Sequence, residues 1–264
     1  MGPAIAYALE SPGKRLRPAL VMAVYRALGG TGDIAPLAAA VEVVHCYSLV
    51  HDDLPCMDDD DLRRGRPTTH RQFGVEVATE AGYRMIPLAG RVLVAGAALL
   101  GLERGVVGAM AAELFGAAGV RGMIGGQMLD LEAEGRSLTQ DELERMHRAK
   151  TGALIAAAAV LGARATGADE TRVAALRGYG EEIGLAFQIA DDLLDASGSS
   201  AELGKTAGKD ARQHKATFAT ALGPDAARAE AARRVTRAVD HLRRARVDST
   251  LLVELAHFML ERRS

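Results

Sequence analysis

The chain has 264 residues, 48% of them hydrophobic, which is enough for one large domain or two small ones with a sizeable core. A net charge of −2 gives no electrostatic basis for binding nucleic acid. The two cysteines, Cys46 and Cys56, lack zinc-type partners; a disulfide between them is possible, but we expect free thiols in a reducing cytosol.

The predicted elements are helices, because the chain is rich in Ala and Leu and has few prolines. Met1–Leu9 resembles the end of a helix that Ser11-Pro12-Gly13 breaks. Further helices are expected over Ala19–Leu28, Ala35 to about Asp53, Glu76–Leu102, Val106–Ile124, Asp141–Leu161, Arg172–Asp195, Pro224–Ala245 and Ser249–Glu261. Gly125-Gly126-Gln127 is expected to separate two helices, and Ser137 or Thr139 to cap the helix near Asp141. No strand alternation or repeat is sustained, so the sequence predicts an all-α bundle.

Neither a secretory signal nor a membrane span is predicted. Lys14 and Arg17 follow only a short mixed segment, which is not typical of a signal peptide. The apolar stretch Met85–Leu102 contains Pro87 and Arg91, so we do not expect it to cross a membrane. The sequence therefore predicts a soluble cytoplasmic protein.

The stretch His51–His70, HDDLPCMDDDDLRRGRPTTH, is dense in carboxylates. Its aspartates are Asp52, Asp53, Asp58, Asp59, Asp60 and Asp61. Carboxylates this close repel one another, and oxygen ligands favour a hard cation such as Mg²⁺. A solvated acidic loop is the alternative for this run alone. A second cluster, Asp191, Asp192 and Asp195, favours the metal interpretation, because two facing clusters would hold metal and diphosphate.

The spacing of these aspartates predicts how each cluster is built. Asp52 and Asp58 are six apart, which does not place them on one face of a regular helix. Pro55 lies between them and ends the helix, so a turn there would bring Asp58 back beside Asp52. Asp191 and Asp195 are four apart and share one helical face directly.

Basic residues recur near these clusters in four segments: Lys14, Arg15 and Arg17; Arg63, Arg64 and Arg66; Lys150; and Lys205, Lys209 and Lys215. Taken singly, Lys150 could snorkel to the surface, and the loop lysines could be ordinary surface charges. Together with two carboxylate clusters they predict a site for two diphosphate groups. No nucleophile triad, Walker loop or dinucleotide fingerprint is present. We therefore expect the site to ionise an allylic diphosphate behind an apolar wall that excludes water.

Six segments resemble the motifs of trans-isoprenyl diphosphate synthases, in order and over nearly the whole chain: GKRLRP, YSLVHDDLPCMDDDDLRRGRPTTH, GGQMLDLEAEG, KTGAL, FQIADDLLD and GKDARQHKATF. The resemblance implies one polyprenyl synthetase domain over residues 1–264, an isoprenoid-synthase-type helical bundle around a central pocket, and usually a homodimer. It also implies head-to-tail condensation of isopentenyl diphosphate with an allylic diphosphate (dimethylallyl or geranyl), assisted by three Mg²⁺ ions. The leaving diphosphate would then accept the released proton.

The resemblance also implies residue roles. Metal ligands would be Asp52, Asp58, Asp191 and Asp195. Isopentenyl diphosphate would be held by Lys14, Arg17, His45 and Arg64. The allylic diphosphate would be held by Arg63, Lys150, Thr151, Gln188, Lys205 and Lys215, while Gln127 and Asp130 would line the pocket near the reacting carbons. The residues expected to be catalytic are Asp52, Asp58, Arg63, Lys150, Asp191 and Lys205. As alternatives, Thr151 and Gln188 would be buried hydrogen-bonding groups, His45 a core histidine, and Gly125-Gly126 a close packing point.

Product length is expected to depend on Tyr47 and Ser48, which precede the first aspartate motif. Tyr47 lies five residues before Asp52, roughly 7–8 Å down the helix. A ring there would close the pocket after a C15 chain, as in bacterial farnesyl diphosphate synthases; alternatively, Tyr47 only packs in the core. A smaller residue would allow the C20 product geranylgeranyl diphosphate.

The chain departs from the family pattern at three places. It begins later than most relatives, so most of the usual first helix is expected to be absent, and Pro12-Gly13 replaces a glycine pair. In VATEAGYRMIPLAG, Tyr83 replaces an expected aspartate and Pro87 enters the helix. These departures leave open a non-catalytic regulatory subunit. A class I terpene cyclase is the other alternative, although DDLLD differs from the second motif of that class.

Overall fold

The structure, a computed structural model, describes residues 1–197 and 217–261. Its helices are α1 (Gly2–Leu9), α2 (Leu16–Ala27), α3 (Ala35–Asp52), α4 (Thr69–Phe73), α5 (Val75–Leu99), α6 (Arg104–Ala118), α7 (Met123–Glu132), α8 (Gln140–His147), α9 (Ala153–Arg164), α10 (Glu170–Ser197), α11 (Phe218–Leu222), α12 (Pro224–Arg244) and α13 (Thr250–Glu261). A two-stranded antiparallel hairpin, β1 (Leu62–Arg63) with β2 (Arg66–Pro67), joins α3 to α4. The predicted all-α bundle is confirmed.

The core forms where α3, α5, α9 and α10 pack together. Every residue of α9 from Leu154 to Ala163 is buried, because its small alanines allow neighbouring helices to approach from all sides. Helices α3 and α5 run antiparallel: a Cβ on Gly82 would lie 2.0 Å from Nε2 of His51, and one on Gly96 would lie 2.4 Å from the backbone nitrogen of Leu37. The acidic end of α3 therefore lies beside the N-terminal half of α5.

The helix break predicted at Gly125-Gly126-Gln127 is wrong, because these residues lie inside α7. The chain turns earlier, between Gly119 and Gly122, whose backbone angles are not helical. A Cβ on Gly126 would lie 2.1 Å from the backbone nitrogen of Lys150. The alternative interpretation, close helix packing, is therefore confirmed for Gly126.

The helical run predicted over Asp141–Leu161 is present but not regular. Thr139 caps α8: its hydroxyl accepts from the Glu142 N–H, and the Glu142 carboxylate accepts from the Thr139 N–H. Between α8 and α9 the backbone widens into a π turn, Arg148–Gly152, which the sequence did not predict. Such turns often occur at functional sites, and this one contains Lys150.

One stretch, residues 104–132, has the length and hydropathy of a membrane span, and 28% of its most apolar 18-residue segment is buried inside the protein. It is divided between two helices, because α6 ends at Ala118 and α7 begins at Met123. Helices of 15 and 10 residues are each too short for a bilayer core of about 30 Å.

Candidate active site

A cavity of about 910 Å³ opens among the ends of α2, α3, α5, α7 and α10 and the π turn. All the predicted site residues in the described ranges line it: Lys14, Arg17, His45, Tyr47, Ser48, Asp52, Asp58, Arg63, Arg64, Gln127, Asp130, Lys150, Thr151, Gln188, Asp191 and Asp195. Lys205 and Lys215, like Lys209, lie outside the described residues. The fold thus brings together side chains that are up to about 180 residues apart in the sequence, from Lys14 to Asp195.

The first aspartate cluster is assembled by the turn after α3. The helix ends at Asp52, and the backbone N–H of Asp58 donates to the carbonyl of Asp52 over 2.8 Å. The predicted return of Asp58 toward Asp52 is confirmed. Asp53 points elsewhere: it is 3% exposed and accepts from Nε of Arg63 over 2.7 Å.

Asp52 sits in an environment that disfavours its negative charge. Burial raises the pKa of its carboxyl to about 7; Lys150 opposes this shift, and Asp58 adds to it. A bound cation would reverse this preference by stabilising the carboxylate.

Arg63 is committed to the acidic loop. Besides Asp53 it contacts Asp60, with Nη2 3.3 Å from Oδ2. Burial alone would lower the pKa of the guanidinium, but Asp53 and Asp60 outweigh it and raise the pKa. Arg63 therefore braces the turn while it lines the cavity.

The three aspartates of the second cluster all line the cavity, but they differ in burial and bonding. Asp191 and Asp195 line the cavity from one face of α10. Asp192 is 4% exposed and accepts from the backbone N–H of Phe218 over 2.8 Å and from Nε2 of Gln188 over 2.9 Å. Asp192 thereby ties α10 to the start of α11.

Thr151 and Gln188 bond to each other at the cavity wall. The Thr151 hydroxyl donates to Oε1 of Gln188 over 3.1 Å. Since the Gln188 amide also donates to Asp192, both groups act as hydrogen-bonding groups within the helices. They also line the cavity, so the structure is compatible with both roles considered for them.

Lys150 reaches the cavity from the π turn, and its Nζ lies 2.5 Å from Oδ2 of Asp130. Gln127, one turn before Asp130 on α7, is 6% exposed. Neither polar atom of its amide has a hydrogen-bond partner within the described residues. Buried amides are normally hydrogen-bonded, so the unpaired amide of Gln127 favours a bound molecule at this wall of the cavity.

A cationic region forms where α2 meets α3. Burial, with the nearby charge of Arg64, lowers the pKa of Arg17 to about 10, although Glu42 opposes the shift. Burial and the surrounding arginines lower the pKa of His45 well below its usual value, so the imidazole is neutral at physiological pH. Excess positive charge with a neutral histidine favours a bound polyanion such as diphosphate.

The partner of Arg15, Glu42, had not been predicted. Arg15 is not a free cavity cation: it pairs with Glu42 and donates to the carbonyls of Leu9 and Ser11. Glu42 was detectable as an isolated acid in the apolar pattern of α3. Its partner is 27 residues distant, which helical spacing alone does not reveal.

The hairpin that carries Arg63 and Arg64 is held by the N-terminal segment. The Tyr7 hydroxyl donates to the Pro67 carbonyl over 2.7 Å, and the Arg66 guanidinium lies 4.2 Å from the Tyr7 ring centroid. Nη1 of Arg64 donates to the Pro12 carbonyl over 2.6 Å. These contacts orient the hairpin toward the cavity.

The donor set fits a hard divalent cation. Within residues 1–197 and 217–261, no three acidic, histidine or cysteine side chains converge into a complete metal site. The cavity carboxylates of Asp52, Asp58, Asp191 and Asp195 are oxygen donors from two separate segments of the chain. Mg²⁺ suits such a set, because it typically binds one or two carboxylates and completes its shell with phosphate oxygens and water.

Residues 1–251 match the polyprenyl synthetase family. The chain belongs to this family. It is a prenyltransferase, and the rival terpene cyclase interpretation is not supported.

Among its relatives, a farnesyl diphosphate synthase from Escherichia coli is 46% identical over 256 residues, 95% of this chain and 85% of that protein. A geranylgeranyl pyrophosphate synthase from Catharanthus roseus is 44% identical over 224 residues, 84% of this chain and 62% of that protein. A geranyltransferase from Helicobacter pylori, complexed with magnesium and isoprenyl diphosphate, superposes with a TM-score of 0.84 at 33% identity, covering 97% of this chain and 86% of that one. Identity to the farnesyl and geranylgeranyl enzymes is nearly equal, so overall identity does not distinguish a C15 from a C20 product.

Proposed function

We propose that this prenyltransferase condenses isopentenyl diphosphate with dimethylallyl and then geranyl diphosphate, giving farnesyl diphosphate and releasing diphosphate. One observation carries the proposal: two carboxylate clusters and a cationic region line a single cavity that also contains Tyr47. We further propose that the chain is a single catalytic domain and that it acts in the cytoplasm.

The cationic region holds isopentenyl diphosphate. Lys14, Arg17 and Arg64 supply positive charge, and neutral His45 can donate one hydrogen bond from its ring N–H. Arg15 is paired with Glu42 and is therefore not assigned to the substrate.

The allylic diphosphate lies between the two aspartate clusters. The residues that hold it are Arg63, Lys150, Thr151 and Gln188, together with Lys205 and Lys215 outside the described residues. Three Mg²⁺ ions, held by Asp52, Asp58, Asp191 and Asp195, would supply positive charge that stabilises the departing diphosphate. Lys150, held at 2.5 Å by Asp130, adds a fixed cation beside the same group.

The chemistry requires ionisation and exclusion of water. The C1–O bond breaks with its electron pair leaving on diphosphate, and the double bond of isopentenyl diphosphate supplies the pair for the new carbon–carbon bond. The proton then lost passes to the departed diphosphate, so no side-chain base is assigned. Apolar residues Met123, Ile86 and Phe187 line the cavity and shield the intermediate cation from water.

Tyr47 limits the product to C15. The side chain is 5% exposed, and burial followed by the charge of Asp52 raises its pKa to about 12, so the ring remains a neutral phenol. It packs edge-on against His51 with ring centroids 5.9 Å apart.

The proposal is tested by incubating the purified protein with Mg²⁺, isopentenyl diphosphate and dimethylallyl, geranyl or farnesyl diphosphate. Chromatography should show a C15 product from the first two allylic substrates and little turnover of the third. A C20 product would favour the geranylgeranyl alternative. No turnover from any substrate would favour a regulatory subunit.

Tyr47→Ala should convert the main product from C15 to C20 or longer, because it removes the ring that ends the pocket. Ser48→Ala tests the second residue predicted to affect product length: its hydroxyl donates to the His45 carbonyl over 2.9 Å, and its removal changes little volume and should leave the main product at C15. Product chain lengths from both variants decide the point. An unchanged C15 product from Tyr47→Ala would place the end of the pocket elsewhere.

A homodimer is part of the proposal. Large apolar side chains outside the cavity are exposed on α5 and in the turn after α6, among them Val94, Leu99 and Val120. Apolar exposure of this kind is typical of subunit contacts. Light scattering should give the mass of two 27.7 kDa chains, and a monomer mass would contradict the dimer.

A further inference from the structure

Tyr83 occupies an unexpected place in the cavity wall. It stands where the family pattern led us to expect an aspartate, and it lines the cavity from α5. The side chain is 60% exposed. Its ring meets His51 edge-on, with centroids 5.1 Å apart and planes at 78°.

The position of His51 is itself fixed. Its Nε2 lies 3.0 Å from the carbonyl oxygen of Thr79, one turn before Tyr83. Gly82 has no Cβ to collide with the imidazole, so α5 can approach α3 this closely. On its other side His51 contacts Tyr47, so the rings of Tyr47, His51 and Tyr83 form one aromatic wall.

The antiparallel pairing of α3 and α5 sets the depth of each ring. Gly82 faces His51, so Tyr83 lies beside the last turn of α3, close to Asp52 and at the open end of the pocket. Tyr47 lies four residues further down α3, or about 6 Å deeper. Tyr83 therefore flanks the passage between the metal-binding aspartates and the end of the pocket.

We propose that Tyr83 is a second determinant of product length. This inference rests on the proposed function, in which the growing chain runs from the aspartates toward Tyr47. The Tyr83 ring occupies volume beside that path and supports His51, which in turn contacts Tyr47. A small side chain at position 83 would widen the passage and loosen the wall, so a longer chain would be accommodated.

The test compares Tyr83→Ala, Tyr83→Val and Tyr83→Phe with the wild-type protein, using chromatography of the products. Both truncations should raise the ratio of longer products to the wild-type product by about tenfold, the discrimination typical of a methylene-sized change in an apolar pocket. Tyr83→Phe keeps the ring and should keep the wild-type ratio. Arg84→Ala is the control, because Arg84 is exposed, pairs with Glu80 and does not line the cavity.

Combining Tyr83→Ala with Tyr47→Ala should lengthen the product beyond that of Tyr47→Ala alone. Active truncation variants with the wild-type product ratio would overturn the role of Tyr83. A shift of equal size in Tyr83→Phe would also overturn it, since the ring would not be responsible. Absence of turnover in the wild-type protein would contradict the proposed function instead, so the two failures are distinguishable.

Discussion

Asp52→Asn should lower kcat/KM by about 10³-fold, the loss typical when one group that stabilises transition-state charge is removed. The substitution keeps the shape of the side chain but removes a carboxylate that lines the cavity and that we propose binds a cation. Steady-state kinetics with geranyl and isopentenyl diphosphates measures the loss. Excess Mg²⁺ should restore only part of the rate, because the ligand itself is weakened.

Asp59→Asn provides the matched control for this prediction. Asp59 belongs to the same acidic run, is exposed and does not line the cavity. Its φ of +49° is one that asparagine also adopts. The control should keep a rate close to wild type. Equal losses in both variants would mean that the general acidity of the loop, rather than Asp52, matters.

Asp52→Asn should also reveal how titration of the Asp52 carboxyl changes the stability of the protein. In the folded protein its pKa is about 7, whereas an unfolded aspartate titrates near about 3.9. A raised folded pKa contributes stability that is fully present below about pH 4 and is lost as pH rises through about 7. Metal-free wild type should therefore lose more Tm between pH 5 and pH 8 than Asp52→Asn. Mg²⁺ should restore Tm at pH 8 in the wild type only, and parallel pH profiles would contradict this.

Asp191→Asn and Asp192→Asn should affect different properties although the residues are adjacent: the first should mainly lower the rate and the second mainly the stability. Asp191 lines the cavity, so its substitution should lower kcat/KM about 10²–10³-fold. Asp192 also borders the cavity, but it is 4% exposed and both its oxygens accept, from the Phe218 N–H and the Gln188 amide. Its substitution should therefore lower Tm by several degrees, corresponding to about 1–3 kcal/mol for a lost buried hydrogen bond to a charged group.

Activity assays and thermal melts of both proteins decide this prediction. The loss of stability should be larger in the Asp192 variant, and the loss of rate larger in the Asp191 variant. A rate loss in Asp192→Asn that persists well below its Tm and equals that of Asp191→Asn would contradict the division of roles.

Local patterns in the sequence predicted the helices and the spacing of both aspartate clusters. Pro55 indicated the turn that returns Asp58 to Asp52, because proline cannot continue a helix. The misplaced break near Gly125 shows the limit of this reasoning: glycine permits either a turn or a close helix contact. Only the neighbouring backbone of Lys150, in a different helical segment, decides between the two for Gly126.

The partners of charged groups were the least predictable part of the site. Spacing along one helix placed Asp191 and Asp192 together, but it did not show that Asp192 bonds to Phe218 and Gln188. Likewise, Arg15 pairs with Glu42 and Arg64 binds the Pro12 carbonyl across the fold. Such contacts depend on how separate helices meet, which a single sequence does not specify.

The π turn at Arg148–Gly152 has a consequence for how the protein can change. It places one more residue in a helical turn than an α-helix would, so α8 and α9 differ in rotational phase by roughly 100°. Deleting one residue there would rotate Leu143 and Met146, both buried on α8, away from the core. The position of the Lys150 cation and the packing of α8 therefore both depend on the length of this turn. Substitutions in it can change one of them at a time, but an insertion or deletion would disturb both.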